Sequence, residues 1–317
     1  MRFLGTITVA IATLFGLELG IQARDHYPFK LPTASPGPCP YSEHRDAQLG
    51  YIPKELIVTE PSQRPELFLV GDSIVAGHGY DDLQDSLGPR LQRDLEAKGL
   101  PLTVRALGAP GYNLSQQLRL LEIELLKDRP VPPHGILLTL NAGDADAPLK
   151  LTPHCRLIDP AGSSNQKITL GSVLRLVSIR QLLIAKAVPI INRFGISAYF
   201  GPQLIAALKP RLASPRWQQA ASDLERLKTR ASHMQIPLLV LIFPYSAELS
   251  VPADQNPLSS FLEDFVKKAE VSSLVILDRI SGLSPQEAYL EGNALHLSPV
   301  AYDRVLPDMT ARVLKLK

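Results

Sequence analysis

From residue 67 onward, short apolar runs alternate with segments whose apolar positions recur every three or four residues. A run of four to eight apolar residues is the length of a buried strand, and a 3.6-residue period over ten or more residues marks an amphipathic helix. The pattern predicts strands at 67–70, 102–107, 135–140, 237–243 and 274–278. It predicts helices at 87–98, 114–127, 217–234, 261–269 and 299–316, the second with its apolar face at Leu118, Leu121 and Leu125. Strands separated by helix-length segments imply right-handed crossovers and a parallel sheet covered on both faces, an α/β fold.

Three stretches stand outside this rhythm. Residues 24–65 are rich in proline, as in LPTASPGPCP, and read as an irregular arm with little helix or strand potential. Residues 167–194 are helical in composition and apolar on most sides, with Arg175, Arg180, Lys186 and Arg193 among them. They read as extra helices on the sheet, or as a lid or a surface that meets a membrane or partner, within a helical insertion spanning about 160–215. Residues 1–23 place Arg2 before a largely apolar, uncharged run from Phe3 to Leu17. That run is shorter than the roughly 20 residues a membrane span needs, and it fits the core of a signal peptide. Ala23 suits the last position before a cleavage site, but Ile21 is large for the position two before it, so an uncleaved anchor formed by residues 3–21 stands beside the cleaved signal. A buried N-terminal helix is the third reading; the first two export the body of the protein.

Composition narrows the classes. With 317 residues, 45% hydrophobic, the chain has ample material for one large core. A net charge of +2 without a long basic run gives no footing for nucleic acid. The two cysteines, Cys39 and Cys155, have no metal-site spacing, and no metal is expected. They read either as a disulfide tying the arm to the body of an exported chain or as two unpaired buried thiols.

The candidate chemistry lies at the predicted strand ends. Gly71-Asp72-Ser73 follows the first strand without a spacer, where open α/β sheets place their sites. Ser73 is expected on a tight turn opening into a helix, whose free N–H groups help hold developing negative charge; a plain capping turn is the alternative. After the second strand, Gly111 removes a side chain where a backbone N–H needs to approach a substrate oxygen. After the third, Asn141 offers a neutral amide donor. His296, in Glu291-Gly292-Asn293-Ala294-Leu295-His296-Leu297-Ser298-Pro299 before the last helix, is the histidine placed to serve Ser73 as a base.

In order and spacing these blocks resemble the SGNH, or GDSL-type, hydrolase family. Gly71-Asp72-Ser73-Ile74 matches its nucleophile block, Leu107-Gly108-Ala109-Pro110-Gly111-Tyr112-Asn113 its second, and His296-Leu297-Ser298-Pro299 its fourth. His44 to Pro53 also resembles the lead-in of some exported bacterial members. Two positions depart. In Asn141-Ala142-Gly143-Asp144 the usual Asn is Gly143 and the usual Gly is Asn141, and the usual Asp of the fourth block is Asn293. The resemblance implies a three-layer α/β/α sandwich around a five-stranded parallel sheet, covering residues 66–317. It implies a serine esterase without cofactor, with Ser73 as nucleophile and His296 as base. The oxyanion would be held by the N–H groups of Ser73 and Gly111, with or without the Asn141 side chain. Asn293 would orient the imidazole through its carbonyl oxygen, without the charge stabilisation of a carboxylate; Glu291 and Asp278 are the acidic residues nearby. The implied substrate is an ester, such as an acylated glycan, a lipid or a small acyl ester. An inactive relative that binds a glycan or partner protein through the same cleft is the alternative, as is a membrane-anchored assembly factor.

Overall fold

The computed structural model describes residues 41–46, 49–53, 61–146, 148, 150–151, 157–158, 205–206, 208–252, 257–291, 293 and 295–316. In chain order its elements begin with β1 (Tyr41–Asp46), β2 (Gly50–Pro53), β3 (Glu66–Gly71), α1 (Leu87–Ala97), β4 (Thr103–Gly108) and α2 (Leu114–Leu125). They continue with β5 (Gly135–Leu140), β6 (Lys150–Leu151), β7 (Leu157–Ile158), α3 (Arg216–His233), β8 (Leu238–Ile242) and α4 (Pro257–Lys268). The last are β9 (Ser272–Val275), α5 (Leu277–Ile280), α6 (Pro285–Ala288) and α7 (Pro299–Val313).

Five strands form an all-parallel sheet in the order β4-β3-β5-β8-β9. Successive side chains on a strand point to opposite faces, and here both faces are apolar. Phe68 and Val70 of β3 join Ile136, Leu138, Val240 and Ile242 in a core closed by Leu118 and Leu121 of α2, Leu224 of α3 and Leu262 of α4. Leu67 and Leu69 join Leu137, Leu239 and Leu241 in a second core closed by Leu91 and Leu95 of α1 and Val305 and Met309 of α7. The result is the three-layer α/β/α sandwich with a five-stranded parallel sheet. The chain leaves β3 toward β4 on one side, then returns past β3 to β5 on the other. The crevice between the carboxyl ends of β3 and β5 is therefore a switch point, where such sheets hold ligands.

Two expectations fail. The arm is not wholly irregular: β1 and β2 pair antiparallel and continue through β6 to β7 in a small second sheet. Asp46 Oδ1 accepts from Leu49 N at 3.0 Å, closing the turn between β1 and β2, and Leu49 is fully buried against the α2 side of the core. The strand expected at 274–278 ends at Val275 and gives way to α5. Its neighbour β8 ends at Ile242, and Pro244 beyond it lacks the N–H that a longer ladder needs. No helix among the described residues is long and apolar enough to cross a membrane. The stretches expected to be a signal or anchor (1–23) and the apolar 167–194 segment lie outside the described residues, as do Cys39 and Cys155.

Candidate active site

β3 delivers Ser73 two residues past its last residue. The chain then stays in consecutive turns through Gly79: Ala76 N donates to Asp72 O at 3.0 Å and His78 N to Ser73 O at 3.0 Å. The helix expected to open at Ser73 does not form there; a 3₁₀ turn at Leu83–Asp85 comes first, and the next α-helix begins at Leu87. Gly77 and Gly79 hold φ of 71° and 89°, which a right-handed helix cannot continue through. The turn nests against the end of β4 because residue 108 is glycine. A Cβ there would lie 2.7 Å from Val75 Cβ and 2.8 Å from Asp72 O and Ala76 N.

His296 arrives from the other end of the chain, in the loop between α6 and α7. Leu290 N donates to His296 O at 3.0 Å, and Ser298 N to Ala288 O at 2.8 Å. The Ser298 hydroxyl then accepts from Ala301 N at 3.2 Å, capping α7, whose first residue is Pro299. The imidazole is buried, and its Nε2 lies 2.8 Å from Ser73 Oγ. For Nε2 to accept from the serine hydroxyl, Nδ1 must carry the ring hydrogen. Nδ1 is buried with no described hydrogen-bond partner.

Asn293 does not fill that place. Its Oδ1 accepts from Leu295 N and His296 N, both at 2.9 Å, so it shapes the loop that carries the imidazole. Glu291 and Asp278 are exposed and supply no acceptor either. Burial is the larger cause, and the neighbouring His78 the smaller, of a His296 pKa lowered to about 4. The two imidazoles sit 5.5 Å apart between centroids. His296 is therefore a neutral imidazole at neutral pH, in the state that accepts a proton.

The crevice side of the serine is a buried polar network. Asp72 Oδ1 accepts from Ile74 N at 2.9 Å, and its Oδ2 from Asn141 Nδ2 at 3.1 Å. Asn141 Oδ1 accepts from Gly143 N at 2.8 Å, and Asn141 N donates to Asp144 Oδ2 at 2.6 Å. Gln117 of α2 donates to the other oxygen of Asp144. Burial raises the pKa of Asp72; burial, and then the charge of Asp72, raises that of Asp144 well above the ordinary value. An amide nitrogen carries two hydrogens, and Asp72 takes one from Asn141.

The structure thus brings Ser73 and His296 into contact and sets Asn141 beside Asp72. Gly111 lies exposed on the turn between β4 and α2 with φ of 75°. Asn113, two residues on, caps α2 and receives Gln116 N at 3.1 Å. Gly108 falls within the second block but its close approach to the Ser73 turn is not readable from it, and Tyr245, whose hydroxyl lies 3.5 Å from Asn141 Oδ1, escapes a sequence reading. The first acts by what it leaves out, and the second reaches the site from β8, whose apolar run announces only a strand. A cavity of about 410 Å³ opens beside the loops that follow β4 and β5, with Asn113, Ser115, Asp146, Arg216 and Gln219 in its wall. Among the described residues no cluster of His, Cys, Asp or Glu suits a metal ion.

A serine–histidine pair at the carboxyl end of a parallel α/β sheet defines the class of site. No family model matches the chain, and no similar sequence was found among curated proteins. Solved structures with a similar fold include TesA, at 16% identity over 79% of this chain and 98% of that one, with a TM-score of 0.46. AlinE4, described as an SGNH-hydrolase family esterase, is 13% identical over 81% of this chain and 98% of its own, with a TM-score of 0.38. A GDSL-like lipase from Bacteroides thetaiotaomicron is 10% identical over 82% of this chain and 94% of its own, with a TM-score of 0.42.

Proposed function

We propose that this chain is an exported serine esterase of SGNH/GDSL type that hydrolyses, or transfers, an acyl group such as acetyl from a glycan, a lipid or a small ester. One observation carries the reading: the 2.8 Å contact between Ser73 Oγ and His296 Nε2 at the carboxyl end of β3. Ser73 Oγ attacks the ester carbonyl carbon while its proton passes to Nε2. The negative oxygen so formed is met by the N–H groups of Ser73 and Gly111 and by the free hydrogen of the Asn141 amide. As the tetrahedral species collapses, the C–O bond to the alcohol breaks and that alcohol takes the proton from Nε2. Water, or an acceptor hydroxyl, then attacks the acyl-serine by the same path in reverse, giving hydrolysis or transfer. The apolar run behind Arg2 supports export.

The test is labelling of the purified full chain by a fluorophosphonate serine probe, beside Ser73→Ala and His296→Ala. Labelling of the wild type and of neither variant is the expected result. Absence of labelling in a folded wild type would sink the esterase reading. The second reading, a catalytically weak or inactive protein that binds an acylated glycan or a partner protein in the same cleft, is favoured by the unpartnered Nδ1 of His296. Glycan binding that survives Ser73→Ala, with no turnover by the wild type, would select it.

A further inference from the structure

Tyr245 follows β8 by way of Phe243 and Pro244, and its backbone is pinned. Tyr245 N donates to Glu248 Oε1 at 2.8 Å, and the other oxygen of that buried carboxylate receives Ser259 N at 3.1 Å and Ser259 Oγ at 2.6 Å. The ring therefore has a fixed base, and its hydroxyl reaches back across the end of β5. There it faces Asn141 Oδ1 at 3.5 Å, the outer limit of a hydrogen bond. Burial raises the pKa of the phenol, so the group is a protonated donor whose hydrogen is poorly used at rest.

Glycine at 143 is what admits it. A Cβ at that position would lie 3.0 Å from Asn141 Oδ1, 3.2 Å from the Tyr245 hydroxyl and 3.5 Å from Arg211 Nη1. The space a side chain would take is thus edged by an amide, a phenol and a guanidinium, two of them donors. Asn141 in turn bonds the carboxylate of Asp72, the residue next to Ser73.

We propose that Tyr245 is a catalytic oxyanion donor, its hydroxyl turning from Asn141 Oδ1 to the negative oxygen formed when Ser73 attacks an ester. The assignment rests on the esterase reading of the Ser73–His296 pair. In it, the phenol after β8 and the amide after β5 share the charge that a single side chain at 143 would otherwise meet. No proton leaves the phenol; it donates a hydrogen bond in the transition state and recovers its resting contact when the oxyanion collapses.

The experiment is steady-state hydrolysis of p-nitrophenyl acetate by the full chain and by Tyr245→Phe, which keeps the ring and removes the donor. Loss of one oxyanion donor lowers kcat on the order of 10²-fold, and KM stays near its wild-type value because the contact is made in the transition state. A trifluoromethyl ketone analogue should lose affinity for Tyr245→Phe by a similar factor, a change that a purely packing role would not produce. Gly143→Asn added to Tyr245→Phe should restore most of the loss, since removing the phenol oxygen clears room for an amide. Wild-type kcat and analogue affinity in a folded Tyr245→Phe would overturn the assignment while leaving the esterase intact. A wild type that neither turns over esters nor is labelled at Ser73 would overturn both.

Discussion

His296 sits in an environment that keeps it neutral, with its Nε2 on the serine and its Nδ1 hydrogen facing no described acceptor. The folded pKa near 4 means that the base is competent at any pH above that value. The acid limb of kcat/KM should therefore fall near pH 4 instead of near the ordinary histidine value of about 6.5. The same environment does nothing for the imidazolium that the proposed attack would form. A carboxylate at 293 would keep accepting from Leu295 N and His296 N, and its charge would favour the protonated ring. Asn293→Asp should then raise plateau kcat about tenfold or more, against a ceiling on the order of 10⁴. It should also move the acid limb upward, both read from one pH–rate profile between pH 3 and 8. An unchanged plateau and limb would show that residue 293 is electrically remote from the ring. Ser73 and His296 were legible in the sequence because each borders an element with its own signal, an apolar strand before one and a Ser-Pro helix start after the other. Tyr245 was not, because nothing in a local pattern says which strand end a phenol will lean across.

At the scale of elements, the site depends on how closely the turn after β3 can approach β4. Gly108→Ala would put a methyl group inside contact distance of Val75, Ala76 N and Asp72 O, two of them backbone atoms that cannot yield without moving the turn. Overpacking of this kind costs about 1–3 kcal/mol, and here the strain falls on the residues either side of Ser73. Thermal unfolding should show that loss of stability, and probe labelling of Ser73 should slow well beyond what partial unfolding explains. Labelling at the wild-type rate would mean that the turn has slack. Element identity was readable wherever one period dominated: β5 matches its predicted bounds, and α1, α2, α3 and α7 shift only at their ends. The β1–β2 hairpin was hidden by the proline-rich composition around it. The capping Asp46 and the anchor Leu49 are local cues, but they gain meaning only once Leu49 is seen buried against the face of the sheet that α2 covers.

Across the whole molecule the two ends of the sheet have different work. At the carboxyl end lies the Ser73–His296 pair; at the amino end lies a buried cluster of charge. Glu66 opens β3 and contacts Arg129 and, at 3.5 Å, Arg105. Glu124 at the end of α2 takes Arg105 Nε at 2.8 Å and Arg129 Nη2 at 3.3 Å. All four side chains are at most 8% exposed. Breaking a buried pair by removing one partner costs about 3–5 kcal/mol; Glu124 also keeps Lys127 at 2.5 Å. Arg105→Met should lower the unfolding free energy by that amount in denaturant titration while leaving the Ser73 labelling rate of the folded fraction unchanged. A loss below about 1 kcal/mol would mean that Arg129, with Lys127 on Glu124, neutralises both glutamates. The α/β class was readable from alternation alone, but the order β4-β3-β5-β8-β9 was not, since alternation is silent on which side of β3 each crossover lands. The separation of Ser73 and His296 along the chain has a consequence for biosynthesis. Ser73 leaves the ribosome 223 residues before His296, and α1 lacks its packing neighbour α7 until then. On the esterase proposal, the polypeptide would carry through most of its translation a serine without its base, and reactivity would begin only once His296 and the last helix are in place.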